Sequence, residues 1–221
     1  MKKSIFAVVF AVVFALFAGV AAAAEPTLDI VGDKVQDVTV GGKVIKFDGA
    51  IKEIAGSKVM AFGEKPFAMP AKTLVGESGS IVMEYAIDTK QSKNGARPLV
   101  CLRLESTKQI AFFTFHGNPV IQLRFGDPLF YDRNLKLAAN RIYQSAVTWD
   151  GEKVCFYLDG KLLYSGKQPL PVKTANICNI TVGPFSDPYF KTPAWDNDCF
   201  MKRLQVFNTA LTAEEIAKLN K

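Results

Sequence analysis

Along most of the chain, apolar and polar residues alternate in short runs separated by turn-forming residues. That period of two is what a strand shows when one face is buried and the other is not. It predicts strands over 35–40, 44–47, 58–62, 81–87, 99–105, 110–115, 120–125, 142–149, 153–158, 161–164, 179–182 and 201–207. Valine, isoleucine, threonine and the aromatics dominate these runs, as a pleated, half-buried surface favours. The gaps hold Gly41-Gly42, Asp48-Gly49, Asn94-Gly95, Gly117-Asn118-Pro119, Asp150-Gly151 and Asp159-Gly160. The two Asp-Gly pairs nearest Trp149 and Leu158 carry the signature of tight hairpin turns. Many short strands with evenly spaced turns predict an antiparallel sandwich or barrel. Only the end of the chain reads as helix. Thr212-Ala213-Glu214-Glu215 fits a capping box, and Leu211, Ile216 and Leu219 would form the buried stripe.

The first residues follow a different pattern. Met1-Lys2-Lys3-Ser4 precedes an unbroken apolar run over 5–20, and Ala21 to Ala24 lead into Glu25-Pro26. A basic start, an apolar stretch and an Ala-x-Ala end read as a secretory signal peptide over 1–24, cut before Glu25. A retained anchor is the alternative, because 5–24 approaches the roughly 20 residues that span a bilayer. The alanine-rich end favours cleavage. The expectation is a secreted or periplasmic domain over 25–221, with no membrane span after cleavage.

Composition then narrows the partners. Losing Lys2 and Lys3 lowers the formal charge from +6 to +4, and no Lys/Arg cluster remains to follow a phosphate backbone. Nucleic acid is therefore excluded as an expected partner. Cys101, Cys155, Cys178 and Cys199 are disulfide candidates in an exported chain, and their spacing lacks the CxxC pairs of a structural zinc site.

The segment from Ala146 through Trp149-Asp150-Gly151 to Tyr157-Leu158-Asp159-Gly160 resembles the LamG-like jelly-roll domains of the concanavalin A-like lectin and glucanase superfamily. There, a strand ending near Trp-Asp-Gly turns into one ending Tyr-x-Asp-Gly. The run from Met201 to Phe207 followed by Asn208-Thr209-Ala210-Leu211-Thr212-Ala213-Glu214-Glu215-Ile216 is similar to that family's last strand and tail. Ile180-Thr181-Val182-Gly183, and upstream Val59 to Gly63 with Phe67 to Pro70, fall in matching order. The resemblance implies an all-β fold: a two-sheet antiparallel jelly-roll sandwich with a short C-terminal helix. It leaves function open, because one sandwich serves lectins, adhesion modules and glycanases. The family's frequent acid at the start of the last strand, which can help hold calcium, is missing here. Cys199 and Lys202 stand in that region.

Catalytic signatures are sparse. Retaining glucanases of the superfamily carry Glu-x-Asp-x-(x)-Glu on one strand, so that alternation turns all the acids into the cleft. Here only Glu84 and Asp88 fall on one strand face. His116 is the single histidine and sits beside Gly117-Asn118. Nucleophile-elbow, zinc-protease, phosphate-loop and dinucleotide patterns are absent. The expectation is a binding module and not an enzyme, with a glycan hydrolase whose site goes unrecognised as the third reading.

The richest binding candidate is the loop from Gly183 to Asp198. Tyr189, Phe190 and Trp195 offer flat faces for sugar C–H groups, and Asp187 and Asn197 offer polar contacts. Asp196 and Asp198 are candidate calcium ligands, since hard cations take oxygen donors. The same loop can instead fold its aromatics over one end of the core. The expected partner is a carbohydrate or, alternatively, another envelope or extracellular protein.

Overall fold

The computed structural model describes residues 24–61, 66–87, 96–104, 108–115, 121–132, 134–183 and 199–220. The chain is an antiparallel sandwich, as the sequence predicts, with one short helix at its end. Its larger sheet takes β4 (Ile51–Ile54), β5 (Ser57–Ala61), β7 (Gly79–Ile87), β12 (Tyr143–Trp149), β13 (Lys153–Leu158), β14 (Lys161–Lys167) and β16 (Cys199–Phe207). They run in the order β14-β13-β12-β7-β16-β5-β4, and β1 (Leu28–Val31) pairs with β16 beside this path. The smaller sheet has the order β11-β10-β9-β8-β15-β6. Its strands are β6 (Phe67–Pro70), β8 (Ala96–Leu104), β9 (Gln109–Phe115), β10 (Ile121–Phe125), β11 (Asp127–Tyr131) and β15 (Ile177–Val182). A separate hairpin, β2 (Gln36–Val40) with β3 (Lys43–Phe47), turns at Gly41 and Gly42 in positive φ and stacks Phe47 on Phe67 at 4.5 Å.

Alternation decides which side chains meet between the sheets. From β7, Ile81, Met83, Tyr85 and Ile87 face inward, and from β12, Tyr143, Val147 and Trp149. The smaller sheet answers with Val100, Leu102, Leu104, Ile110, Leu123, Phe125, Ile180 and Val182. Trp149 is fully buried at its strand end, and Gly79 lies against it so closely that a Cβ there would sit 2.4 Å from the indole. The two inward phenols are hydrogen-bonded: Tyr85 Oη is 3.0 Å from Ser145 Oγ, and Tyr143 Oη accepts from the Ala138 amide at 2.6 Å. Burial pushes the Tyr85 phenol well above its ordinary pKa.

The local signals formed as their chemistry requires. Asp150 Oδ1 accepts from the Glu152 and Lys153 amides at 2.9 and 2.7 Å, closing the β12–β13 turn. Asp159 and Gly160 both take positive φ, as the tightest hairpin turns demand. The helix α1 (Ala213–Leu219) has the full capping box, with the Glu215 amide donating to Thr212 Oγ1 and the Thr212 amide donating to Glu215 Oε2. Its stripe, Leu211 and Ile216, packs on Val82, Ala146, Tyr157 and Phe207 on the outer face of the larger sheet.

The disulfide expectation is corrected: Cys101, Cys155, Cys178 and Cys199 all keep their thiols. The sandwich separates them. Cys199 belongs to the core between the sheets, whereas Cys155 lies on the outer face of the larger sheet beneath α1. Cys101 alternates with core residues Val100 and Leu102, which places it on the outer face of the smaller sheet, and Cys178 is exposed. Cys155 and Cys199 stand three strands apart in one sheet, about 14 Å. Cys101 pairs in register with Thr181, three residues from Cys178. Packed sheets lie about 10 Å apart, and all these separations exceed the roughly 7 Å that a disulfide's Cα atoms can span.

Candidate functional site

The loop that the sequence singles out, with Asp187, Tyr189, Phe190, Trp195, Asp196, Asn197 and Asp198, lies outside the described residues, as do Asp88 and His116. Among the described residues, no group of three or more His, Cys, Asp or Glu side chains is placed to hold a metal ion. No helix among them is long and apolar enough to cross a membrane. Glu84 does fall within the description. It stands on the outer face of the larger sheet, 2.6 Å from the Lys202 ammonium.

A second polar surface was not singled out from sequence. The smaller sheet turns one face to the core and the other outward, and its outward positions are unusually rich in hydrogen-bonding groups. Strand register sets Asn179, Arg103 and Gln109 in one row across β15, β8 and β9. A neighbouring row holds Thr181, Cys101, Ala111 and Arg124, and Gln122 follows Arg124 two positions back on β10. With adjacent strands about 4.8 Å apart, the longer row spans about 14 Å. Cys101 and Ala111, both small and 1% exposed, stand beside Arg103 and Gln109 of the first row and next to Arg124 in the second.

Burial makes this face informative. Gln109, Gln122, Arg124 and Thr181 are 2, 7, 8 and 8% exposed, although they sit outside the core between the sheets. Buried polar groups normally find partners, because leaving one unmade costs more than a typical bond gains. Here the Cys101 thiol donates to Gln109 Oε1 at 3.2 Å. Gln122 Oε1 and Asn179 Oδ1, in contrast, have no hydrogen-bond partner. Two guanidiniums, three amides and a hydroxyl can together donate to and accept from a hydroxylated or carboxylated ligand. The described positions of this face on β8, β9, β10 and β15 carry no Asp or Glu. A carboxylate pair there would need acids from outside the described residues.

No family model matches the chain, and no curated protein matches it either. Solved structures do. A Trypanosoma rangeli sialidase in complex with 2,3-difluorosialic acid, as a covalent intermediate, superposes with a TM-score of 0.61 at 15% identity. That match covers 90% of this chain and 33% of the sialidase. Domain 4 of AbnA, a GH43 extracellular arabinanase from Geobacillus stearothermophilus, in complex with arabinotriose, gives 0.62 at 14% identity. It covers 90% of this chain and 100% of that domain. The chain thus spans about a third of the length of the sialidases it matches, and at these identities the likeness shows a shared β-sandwich fold. The comparison also corrects one sequence expectation. The absence of catalytic signatures points away from an enzyme, and that exclusion is overturned because structures named sialidases contain this fold.

Proposed function

We propose that this chain is an exported glycan-recognising module whose ligand lies across the outer face of the smaller sheet. The observation that carries the reading is the buried polar face, where Gln122 Oε1 and Asn179 Oδ1 lack partners beside Arg103, Gln109 and Arg124. A polysaccharide presents hydroxyls that donate and accept along a line, which suits two parallel rows of amides and guanidiniums. The reading fits the LamG-like resemblance of 142–219 and the sugar complexes of the two similar structures. In it, Tyr189, Phe190 and Trp195 stack on sugar rings, Asp187 and Asn197 bond to hydroxyls, and Asp196 and Asp198 contribute to a calcium site. The leader over 1–24 delivers the domain to the periplasm or outside the cell.

The test is a glycan and polysaccharide array probed with purified protein, with calcium and again with chelator. Arg103→Ala removes a charge-assisted donor worth about 1.5–3 kcal/mol, so affinity should fall on the order of 10- to 100-fold. Gln122→Ala and Trp195→Ala should weaken the same ligands while the fold is retained. Reducing-end release, measured in the same incubations, reports any hydrolysis. An array blank under both conditions defeats the proposal and favours a protein partner, which a pull-down from envelope extract would then show as a stable complex.

A further inference from the structure

The outer face of the larger sheet holds two apolar clusters with a polar gap between them. One lies beneath α1 and includes Val82, Ala146 and Phe207; the other comprises Val59, Ala86 and Phe200. In the gap, register puts Gln144 of β12, Glu84 of β7 and Arg203 of β16 side by side. The register shift between Met201 and Arg203 brings Lys202 to the same place, with its Nζ 2.6 Å from Glu84 Oε2. Ile142, Leu219 and Asn220 close the rim of a cavity of about 180 Å³ above these groups.

Gln144 distinguishes this cavity from an ordinary gap. It is 3% exposed, and neither its Nε2 nor its Oε1 has a hydrogen-bond partner. Its backbone, by contrast, is fixed: the Gln144 amide donates to Asp159 Oδ1 at 2.8 Å and its carbonyl accepts from the Asp159 amide at 2.8 Å. Leucine or methionine would fill the same volume without burying an unsatisfied amide. A side chain that loses stability by its polarity, and lines a cavity, points to a ligand that completes it.

We infer that this cavity binds one neutral sugar ring or a polyol of similar size. Glu84 only accepts hydrogen bonds, Lys202 only donates, and the Gln144 amide does both. The two charges offset each other, so an anion would meet Glu84 and a cation would meet Lys202. Hydroxyl groups suit both, because each donates and accepts. Ile142 and Leu219 give an apolar rim for a C–H face. At ~30 Å³ per water, the cavity has room for about six waters, which is the space of one ring. It lies on the opposite face of the sandwich from the polar rows of the smaller sheet and stands without that reading.

The test follows the Gln144 side-chain amide in ¹H–¹⁵N spectra of the purified protein. D-glucose, D-galactose, D-mannose and L-arabinose are each titrated in turn. At least one sugar should shift the Gln144 and Asn220 side-chain amides saturably. Gln144→Met should weaken that binding at least about tenfold while keeping or raising Tm. Lys202→Met, changed at a residue 37% exposed, provides a second loss if the first variant misfolds. Gln122→Ala on the opposite sheet should leave these shifts intact, which separates this site from the polar face of the smaller sheet. No saturable shift at Gln144 with any of the four sugars means a cavity holding water alone, and overturns the inference. Shifts that survive unchanged in both Gln144→Met and Lys202→Met overturn it too.

Discussion

Ser80→Ala should be among the most damaging single-atom changes in this chain. Ser80 is fully buried on β7, and its hydroxyl ties the C-terminal segment to the larger sheet. Its Oγ donates to the Thr209 carbonyl at 2.8 Å and accepts from the Leu211 amide at 2.8 Å. Alanine leaves both backbone groups without their partner. The Leu211 amide is buried, so stranding it costs about 1–3 kcal/mol. Thr209 is exposed and its carbonyl can be rehydrated, so that loss adds only about 1 kcal/mol. The sum is about 2–4 kcal/mol, and near its middle Tm should fall by roughly 6–12 °C for a domain of this size. Ser78→Ala is the control, since its hydroxyl reaches the Asn208 carbonyl only at 3.4 Å and in solvent. That change should stay within about 0.5 kcal/mol of the parent. Urea unfolding followed by tryptophan fluorescence and by circular dichroism measures both. Hydrogen exchange should also rise in α1, because Leu211 leads directly into its cap. If Ser80→Ala loses no more than Ser78→Ala, the hydroxyl does not hold this segment and the reasoning fails.

Three further outcomes follow from the same packing. Gly79→Ala should cost about 1–3 kcal/mol in urea unfolding, because its Cβ would sit 2.4 Å from Trp149 Cζ2 in a filled core; parent-like stability would contradict that contact. Protein denatured without reductant should titrate four thiols, and in the native state the exposed Cys178 should react first; fewer than four would restore a disulfide. Glu215 has its pKa lowered by hydrogen bonds from the Thr212 amide and hydroxyl, so its folded value lies below the unfolded value near 4.3. Its stabilising contribution is therefore present above the unfolded pKa and lost as pH falls through the folded one. Glu215→Gln should lag the parent in Tm near neutral pH and meet it in acid, and a gap that persists in acid would count against the cap.

The strands that the sequence pattern missed are informative because of where they lie. β4, β6 and β11 close the ends of their sheets and β1 pairs with β16, so among the described strands each is bonded to one neighbour. β4 is mostly exposed, and β11 begins Asp127-Pro128, a residue that central strands exclude and edges tolerate. An edge strand needs one partner and little burial, so alternation is a weak guide to it. β14 also lies at an edge and runs on through Ser165-Gly166-Lys167, where the polar composition suggests a turn. Interior strands gave the opposite result. β12 and β13 were legible to within a residue, since Trp149, Val154 and Phe156 must alternate inward and Asp150 and Asp159 must make the turns.

The candidate sites were less legible, for a physical reason. Alternation tells which residues avoid the core, but not whether the outward face meets solvent. In Tyr143-Gln144-Ser145-Ala146-Val147-Thr148-Trp149 every residue is buried, although the pattern of polar positions suits a half-exposed strand. Glu84 illustrates the limit. From sequence it is either half of a catalytic pair with Asp88 or a solvent-facing carboxylate. The structure makes it the partner of Lys202 and the neighbour of Gln144. Those three residues are separated by long stretches of chain, and only the pairing of β7 with both β12 and β16 brings them together. The same holds for Arg103, Gln109, Arg124 and Asn179, each an unremarkable polar residue on its own strand. Polar residues become a site when register collects them and burial removes their water, and neither step is written in any one segment.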